Sequence, residues 1–356
     1  MRVLIMAGGT GGHVMPALAV AHELRAQGHS VCWLGTAAGL EARVVPAAGI
    51  ELFTLPVAGL RGKGVWRYLS APVGLLRALA QAIGLLRRLR PDAVLGLGGY
   101  AAGPGGAAAF LLRRPLLIHE QNARPGLTNR LLARLARRVL AGFPGVRLAG
   151  RQAEFTGNPV RAQLQGLPPP CERLTQAPRL LVLGGSQGAQ AINAAVPQAL
   201  ELLKQSGLPM PQVRHQAGPA HAAAVASDYA ARGVPAAVDG FIDDMAAAYR
   251  GADLAICRAG ALTVAELCAV GLGALLIPFP HAADDHQTAN ARYLAGAGAA
   301  VLLPQAQLTP ARLAQLLGPL LADPAPRLAM ANAAHGLARP DAAQRVAAAC
   351  LEAAHA

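Results

Sequence analysis

Hydrophobic positions along the chain follow two alternating patterns. Short aliphatic runs, unbroken by charge and closed by glycine or polar residues, recur between longer stretches where apolar residues return with helical spacing. A continuous apolar run predicts a strand buried on both faces, and the helical period predicts a helix packed on such a sheet. In the first half the predicted strands are 3–7, 31–34, 93–96, 116–119 and 139–141. In the second they are 180–183, 213–216, 237–239, 254–257, 274–278 and 300–303. Helices are predicted over 17–27, 127–138, 189–203 and 262–270, with another near 75–90. Strands alternating with helices are the signature of a parallel α/β architecture.

The pattern restarts midway. Residues 3–12 read as strand, glycine turn and helix start, and residues 180–188 read the same way. Between them, Gly166-Leu167-Pro168-Pro169-Pro170 has the composition of a connector. Two tandem Rossmann-like domains follow, expected at 1–157 and 158–340, with a terminal helix at 341–356 available to pack back on the first.

Composition narrows the class. With 53 % hydrophobic and 14 % charged residues in 356 positions, the chain is suited to two well-buried cores and not to disorder. The net charge of +13 lies wholly in residues 1–157, which hold 19 basic and 6 acidic side chains, against 13 of each in 158–356. The first domain should therefore attract anionic partners. The five cysteines form no C-x-x-C pair, which reads as reduced thiols. No stretch reaches the ~20 uninterrupted apolar residues of a membrane span. The nearest, 69–86, is broken by Arg77 and Gln81, and 1–7 is too short for a signal peptide. A soluble or peripheral protein is expected. Nucleic acid is disfavoured as a partner, because the arginines are dispersed and only 4 % of residues are aromatic.

A glycine turn entering a helix offers free amides and a positive dipole end, which suit phosphate. Neither loop reads G-x-G-x-x-G, no Walker lysine follows, and Gly35-Thr36 lacks the acidic residue a dinucleotide site would need. His13, directly after the first glycines, reads either as an acid–base group or as a capping residue. Polar clusters at 119–122, 157–161, 240–245 and 285–287 follow predicted strands, where open parallel sheets bind ligands. Glu266 suits either a ribose or the helix dipole.

Together these motifs closely resemble the MurG family of N-acetylglucosaminyltransferases. The matching stretches are Gly-Gly-Thr-Gly-Gly-His at 8–13, Gly-Gly-Tyr at 98–100 leading to Gly103, His-Glu-Gln-Asn at 119–122 and Gly-Asn-Pro-Val-Arg at 157–161. Gly-Gly-Ser-Gln-Gly-Ala at 184–189, Gly-Phe-Ile-Asp-Asp-Met at 240–245, Arg258 to Glu266 and Asp-His-Gln-Thr-Ala-Asn at 285–290 complete them, in family order. The resemblance implies a GT-B architecture, two Rossmann-like parallel-sheet domains separated by a cleft, with the donor in the second and the acceptor mainly in the first. It implies metal-independent, inverting transfer of N-acetylglucosamine from UDP-N-acetylglucosamine to the undecaprenyl-pyrophosphoryl-muramoyl-pentapeptide, forming a β-1,4 bond without a cofactor.

Carried over by motif, Arg161 and the Ser186, Gln187, Gly188 loop would face the donor diphosphate, with Thr10, Gly11, Gly12, His13, Ala261, Leu262 and Thr263 also on the donor. Ile242 would read the uracil edge, Met245 would cover the base, Glu266 would hold the ribose, and Asn122 and Gln287 would bond the sugar. Thr10, Gly12, His13, Tyr100 and Gly103 would face the acceptor. The loop reads Tyr100-Ala101-Ala102-Gly103 where many members have Val-Ser, and His286 stands where some members carry glutamine.

Inverting displacement needs a base, for which His13 is expected, with Glu120 as the alternative. No D-x-D motif is present. In the helix near 75–90, Leu76, Leu79, Ile83 and Leu86 read as a core face. Lys63, Trp66 and Arg67 mix basic and aromatic character suited to anionic lipid. The expected location is peripheral, on the cytoplasmic face of the bacterial inner membrane, with anionic lipids and cell-wall synthesis proteins as partners. The rivals are a UDP-N-acetylglucosamine 2-epimerase, a transferase with another acceptor such as diacylglycerol, and a non-catalytic UDP-binding scaffold.

Overall fold

The computed structural model describes residues 1–57, 65–175, 177–185 and 188–355, apart from the side chains of 65–72 and 283. By its contacts the chain forms two compact units, Met1–Arg161 with Arg339–Ala356, and Ala162–Ala338.

The first unit runs β1 (Arg2–Ala7), α1 (Gly11–Ala26), β2 (Ser30–Gly35), α2 (Glu41–Ala47), β3 (Glu51–Thr54), α3 (Val65–Leu89), β4 (Ala93–Gly98) and α4 (Ala102–Leu111). It continues through β5 (Leu116–Glu120), α5 (Leu127–Leu132), β6 (Arg138–Ala141), a hairpin of β7 (Arg147–Leu148) and β8 (Arg151–Gln152), and β9 (Glu154–Phe155). Its seven-stranded parallel sheet has the order β3-β2-β1-β4-β5-β6-β9. The central strands are buried throughout, as their unbroken apolar runs require. Trp33 on β2 is fully buried, its indole N–H donating to the Ala7 carbonyl at 2.8 Å, so its one polar atom is satisfied.

The second unit runs α6 (Pro170–Arg173), β10 (Arg179–Leu183), α7 (Gln190–Gln205), β11 (Gln212–Gln216), α8 (Ala222–Ala231), β12 (Ala236–Asp239) and α9 (Met245–Arg250). Then come β13 (Leu254–Cys257), α10 (Ala261–Val270), β14 (Ala274–Leu276), α11 (His286–Gly296), β15 (Ala300–Leu302), α12 (Pro310–Ala322) and α13 (Pro324–Gly336). Six parallel strands take the order β12-β11-β10-β13-β14-β15. The last helix, α14 (Ala342–His355), returns to the first unit and packs on α1, burying Val346, Ala347 and Cys350. Arg138 on β6 ties it down through Glu352, and also reaches Glu154, both at 2.6 Å.

Several elements depart from the sequence expectation for physical reasons. The helix expected over 127–138 stops at Leu132, because the Arg137 amide donates to Leu116 and the chain joins the sheet as β6. The edge strands β3 and β9 were not anticipated. α1 begins at Gly11 rather than near 17, with Thr10 extended at its N-cap and Pro16 tolerated inside. On α3 the core seam is Ala78, Ala82 and Leu86, spaced four apart, and not a face containing Leu76. Leu76 precedes Ala78 by two residues, about 200° round the helix, and is 66 % exposed.

In each sheet the strand order reverses once, between β1 and β4 and between β10 and β13. The loops leaving those strands diverge to opposite faces and open a crevice, where parallel sheets bind ligands.

Candidate functional site

At the first switch point two glycine loops meet backbone to backbone. A Cβ on Gly99 would lie 2.6 Å from the Gly8 carbonyl oxygen, and Gly9 takes a φ of +92°, so neither position admits a side chain readily. Beneath the first loop sits Glu41, the first residue of α2, fully buried. Its carboxylate accepts from the Gly9 amide at 3.0 Å, the Thr36 amide at 2.9 Å and the Thr36 hydroxyl at 2.7 Å. Burial opposes its ionisation, but bonds from Thr36, its own amide and Gly9 outweigh that, holding the carboxyl below its ordinary range.

α1 starts at this loop, and His13 is its third residue. The ring lies against Gly98, where a Cβ would come within 3.0 Å of it. His13 Nδ1 is 2.8 Å from Gln121 Oε1, Gln121 Nε2 is 3.1 Å from His119 Nδ1, and His119 Nε2 is 3.0 Å from the Gly157 carbonyl. Glu120 is buried, and its two carboxylate oxygens take bonds from the Asn122 amide and side chain, the Gly126 amide and Asn129 Nδ2, at 2.9, 3.3, 3.1 and 2.9 Å. Those donors shape the turn after β5 and orient half-buried Asn122. Tyr100 is exposed, and Gly103 lies in the first turn of α4.

At the second switch point Gly188 holds φ +80°, and a Cβ there would lie 2.2 Å from the Ala217 carbonyl oxygen. α10 follows β13 through Gly260, which caps the helix with backbone alone. The amides of Ala261, Leu262 and Thr263 therefore lack a side-chain cap. Uncapped first-turn amides with a positive dipole end suit a phosphate. Glu266, buried one turn on, accepts from the Tyr249 hydroxyl at 3.1 Å. Tyr249 lies on α9, the helix begun by Met245 and capped by Asp244, so Glu266 is linked to the loop carrying buried Ile242. Gln287 Oε1 accepts from the Phe279 amide at 2.9 Å and the Ala259 amide at 3.3 Å. Its Nε2 has no partner among the described residues.

Comparison with known proteins decides the family. Residues 3–141 match the glycosyltransferase family 28 N-terminal domain, and residues 179–346 the family's C-terminal domain. A protein of Alkalilimnicola ehrlichii named UDP-N-acetylglucosamine–N-acetylmuramyl-(pentapeptide) pyrophosphoryl-undecaprenol N-acetylglucosamine transferase is 61 % identical over 99 % of both chains. Its namesake in Nitrosococcus oceani is 57 % identical over 99 % of this chain and 98 % of its own. The crystal structure of Acinetobacter baumannii MurG superposes with a TM-score of 0.85 at 41 % identity, covering 99 % of both chains.

The chain belongs to the MurG family.

Its two parallel-sheet units are those of the GT-B fold. In MurG terms, the first switch point gathers Thr10, Gly11, Gly12 and His13 with the turn carrying Glu120 and Asn122. The second gathers Gly188, Ala261, Leu262, Thr263 and Glu266, and Gln287 bonds the backbone beside it. Arg161, half-buried, closes the first unit. Lys63, Ser186 and Gln187 lie outside the described residues, as do the side chains of Trp66 and Arg67. Sequence reasoning passed over Glu41, Gln121 and Arg258. Arg258 braces the second switch point by donating to the carbonyls of Ile277 and Pro278 and to Gln305 Oε1, at 3.1, 3.2 and 2.7 Å. Among the described residues no three of His, Cys, Asp or Glu gather as metal ligands. Burial pushes the thiols of Cys32, Cys257 and Cys350 up to about 11, 12 and 12, so they are poor nucleophiles.

Proposed function

We propose that this chain transfers N-acetylglucosamine from UDP-N-acetylglucosamine to undecaprenyl-pyrophosphoryl-N-acetylmuramoyl-pentapeptide, as the names of its relatives describe, and that the accepting group is the C4 hydroxyl. The observation that carries the chemistry is His13, held at a helix start on the switch point of the first sheet with one ring nitrogen already bonded to Gln121.

The second unit holds most of the donor, with Arg161 and Asn122 of the first unit adding contacts. The free amides of Ala261, Leu262 and Thr263, with the Ser186–Gly188 loop and Arg161, take the diphosphate. Glu266 takes the ribose hydroxyls, the Ile242 backbone reads uracil, and Met245 covers the base. Asn122 and Nε2 of Gln287 bond the sugar. Thr10, Gly12, Tyr100 and Gly103 face the acceptor. His13 removes the acceptor hydroxyl proton as that oxygen bonds to the anomeric carbon on the face opposite the diphosphate. The anomeric C–O bond breaks, and its electron pair leaves on UDP, where preorganised amides stabilise the growing charge. Glu120, saturated by four donors, orients Asn122 and does not serve as the base.

The acceptor's lipid places the reaction at an anionic membrane surface, on the cytoplasmic face where UDP-sugars are made. Among the described residues no helix is long and apolar enough to cross a membrane. Support for surface docking comes from α3, α4 and α5, which pack in series. They expose Val73, Leu75 and Leu76, then Phe110 and Leu111, then Leu127 and Leu131. Phe110, Arg113, Arg114 and Arg137 line a surface cavity of about 260 Å³ suited to an anionic headgroup.

Radiolabelled donor, incubated with and without the lipid-linked acceptor, tests the assignment. Label should enter the lipid fraction only when acceptor is present. Conversion of the donor sugar without acceptor would instead identify an epimerase.

A further inference from the structure

Resting on the reading of His13 as the base, we infer that Gln121 and His119 are positioning residues that set the tautomer of His13 and leave its Nε2 lone pair as the proton acceptor.

The chain of bonds admits one assignment of protons. The Gly157 carbonyl oxygen can only accept, so the His119 nitrogen 3.0 Å from it, Nε2, carries a hydrogen. His119 is fully buried, and burial pushes it down to about 4, so the ring is neutral at physiological pH and Nδ1 is a bare acceptor. Gln121 Nε2 therefore donates to Nδ1 at 3.1 Å, and also to the His119 carbonyl at 2.9 Å. With both amide hydrogens used, Gln121 turns its Oε1 to His13. Reversing the amide would set that oxygen against two acceptors, a carbonyl and a bare ring nitrogen. Gln121 is 1 % exposed, and Asn158 Nδ2 holds its backbone carbonyl at 2.9 Å. The amide is fixed.

An oxygen 2.8 Å from His13 Nδ1 requires the hydrogen on Nδ1. A neutral imidazole then has Nε2 bare, and among the described residues no protein group bonds it. When Nε2 takes the acceptor proton, the ring becomes an imidazolium whose Nδ1–H still points at the Gln121 oxygen dipole. The neighbouring carboxylates do not compete, since Glu120 and Glu41 are each engaged by their own donors. The arrangement sets the tautomer as the buried carboxylate does in a serine-protease triad, but with a neutral group.

Nitrogen-15 spectra of the histidine-labelled full-length protein read this directly. In the wild type His13 should show a protonated Nδ1 and a pyridine-type Nε2. Gln121→Leu should mix the two tautomers and lower kcat on the order of 10²-fold, with KM for UDP-N-acetylglucosamine unchanged. Gln121→Glu keeps an acceptor opposite Nδ1, and its second oxygen, set against the His119 carbonyl and Nδ1, carries a proton and donates there as the amide did. It should retain the wild-type tautomer and recover most of the kcat lost in Gln121→Leu. A hydrogen on Nε2 of the wild-type ring would overturn the inference, as would an unchanged tautomer in Gln121→Leu or a mixed one in Gln121→Glu. Full turnover by His13→Ala would remove the base reading while leaving the tautomer measurement to stand or fall separately.

Discussion

At the residue scale, the chemistry depends on buried polar groups that hold exposed ones in place. Glu41 receives three hydrogen bonds from the first glycine loop and the end of β2. Glu41→Gln turns one accepting oxygen into a donor facing amides, leaving at least one buried N–H unpaired. Thermal unfolding and steady-state assays should show a loss of about 1–3 kcal/mol and a lower kcat. Unchanged stability would mean the loop holds itself. His13 was legible because a histidine at a glycine-loop helix start is unusual and local. Glu41 was not, since its partners lie up to 32 residues away and nothing near it marks a buried acid. Gln121 stood in a motif already noted, yet its role emerges only when Gly157 is placed behind His119.

At the element scale, burial on both faces wrote the strands plainly, while helix ends and edge strands were hidden. The 127–138 stretch has helical spacing, but pairing of Arg138 with Leu117 on β5 overrides it. Glu51–Thr54 is only half apolar and lies at the sheet edge, so no buried run announced β3. In the second unit His215 on β11 links α7 to α8 through Asn193 Oδ1 at 3.1 Å and the Tyr229 hydroxyl at 3.0 Å. Burial pushes both His215 and His119 down from 6.5 to about 4. Between those values the unfolded chain binds protons that the folded chain refuses, so stability falls as pH drops from 6.5 towards 4, by about 1.4 kcal/mol per pH unit for each group. His215→Gln keeps hydrogen-bonding capacity without the titration. Urea midpoints at pH 7 and pH 5 should draw closer together in this variant than in the wild type. An equal separation would refute the assignment.

At the scale of the whole molecule, the two units divide charge as they divide work. The first holds 22 basic and 8 acidic residues, the second 10 and 11, so the proposed attraction to an anionic surface is assigned to the first. Replacing Arg113, Arg114 and Arg137 together by glutamine should weaken sedimentation with anionic liposomes and flatten its salt dependence, while soluble-acceptor turnover persists. Binding unaffected by the change would place the docking surface elsewhere. The restart of the strand–glycine–helix pattern made the doubled architecture readable, but the exposure of Leu76 was hidden, because helical spacing alone does not say which stripe meets the core. In the proposed reaction the second unit grips the nucleotide, Arg161 and Asn122 of the first unit add contacts to the diphosphate and sugar, and His13 of the first unit removes the proton. Single-turnover transfer by His13→Ala, measured beside calorimetric titration with UDP-N-acetylglucosamine, tests this division most directly. The rate should fall by about 10²–10⁴-fold with donor affinity within about twofold of wild type. A wild-type rate, or donor affinity lost in step with the rate, would contradict it.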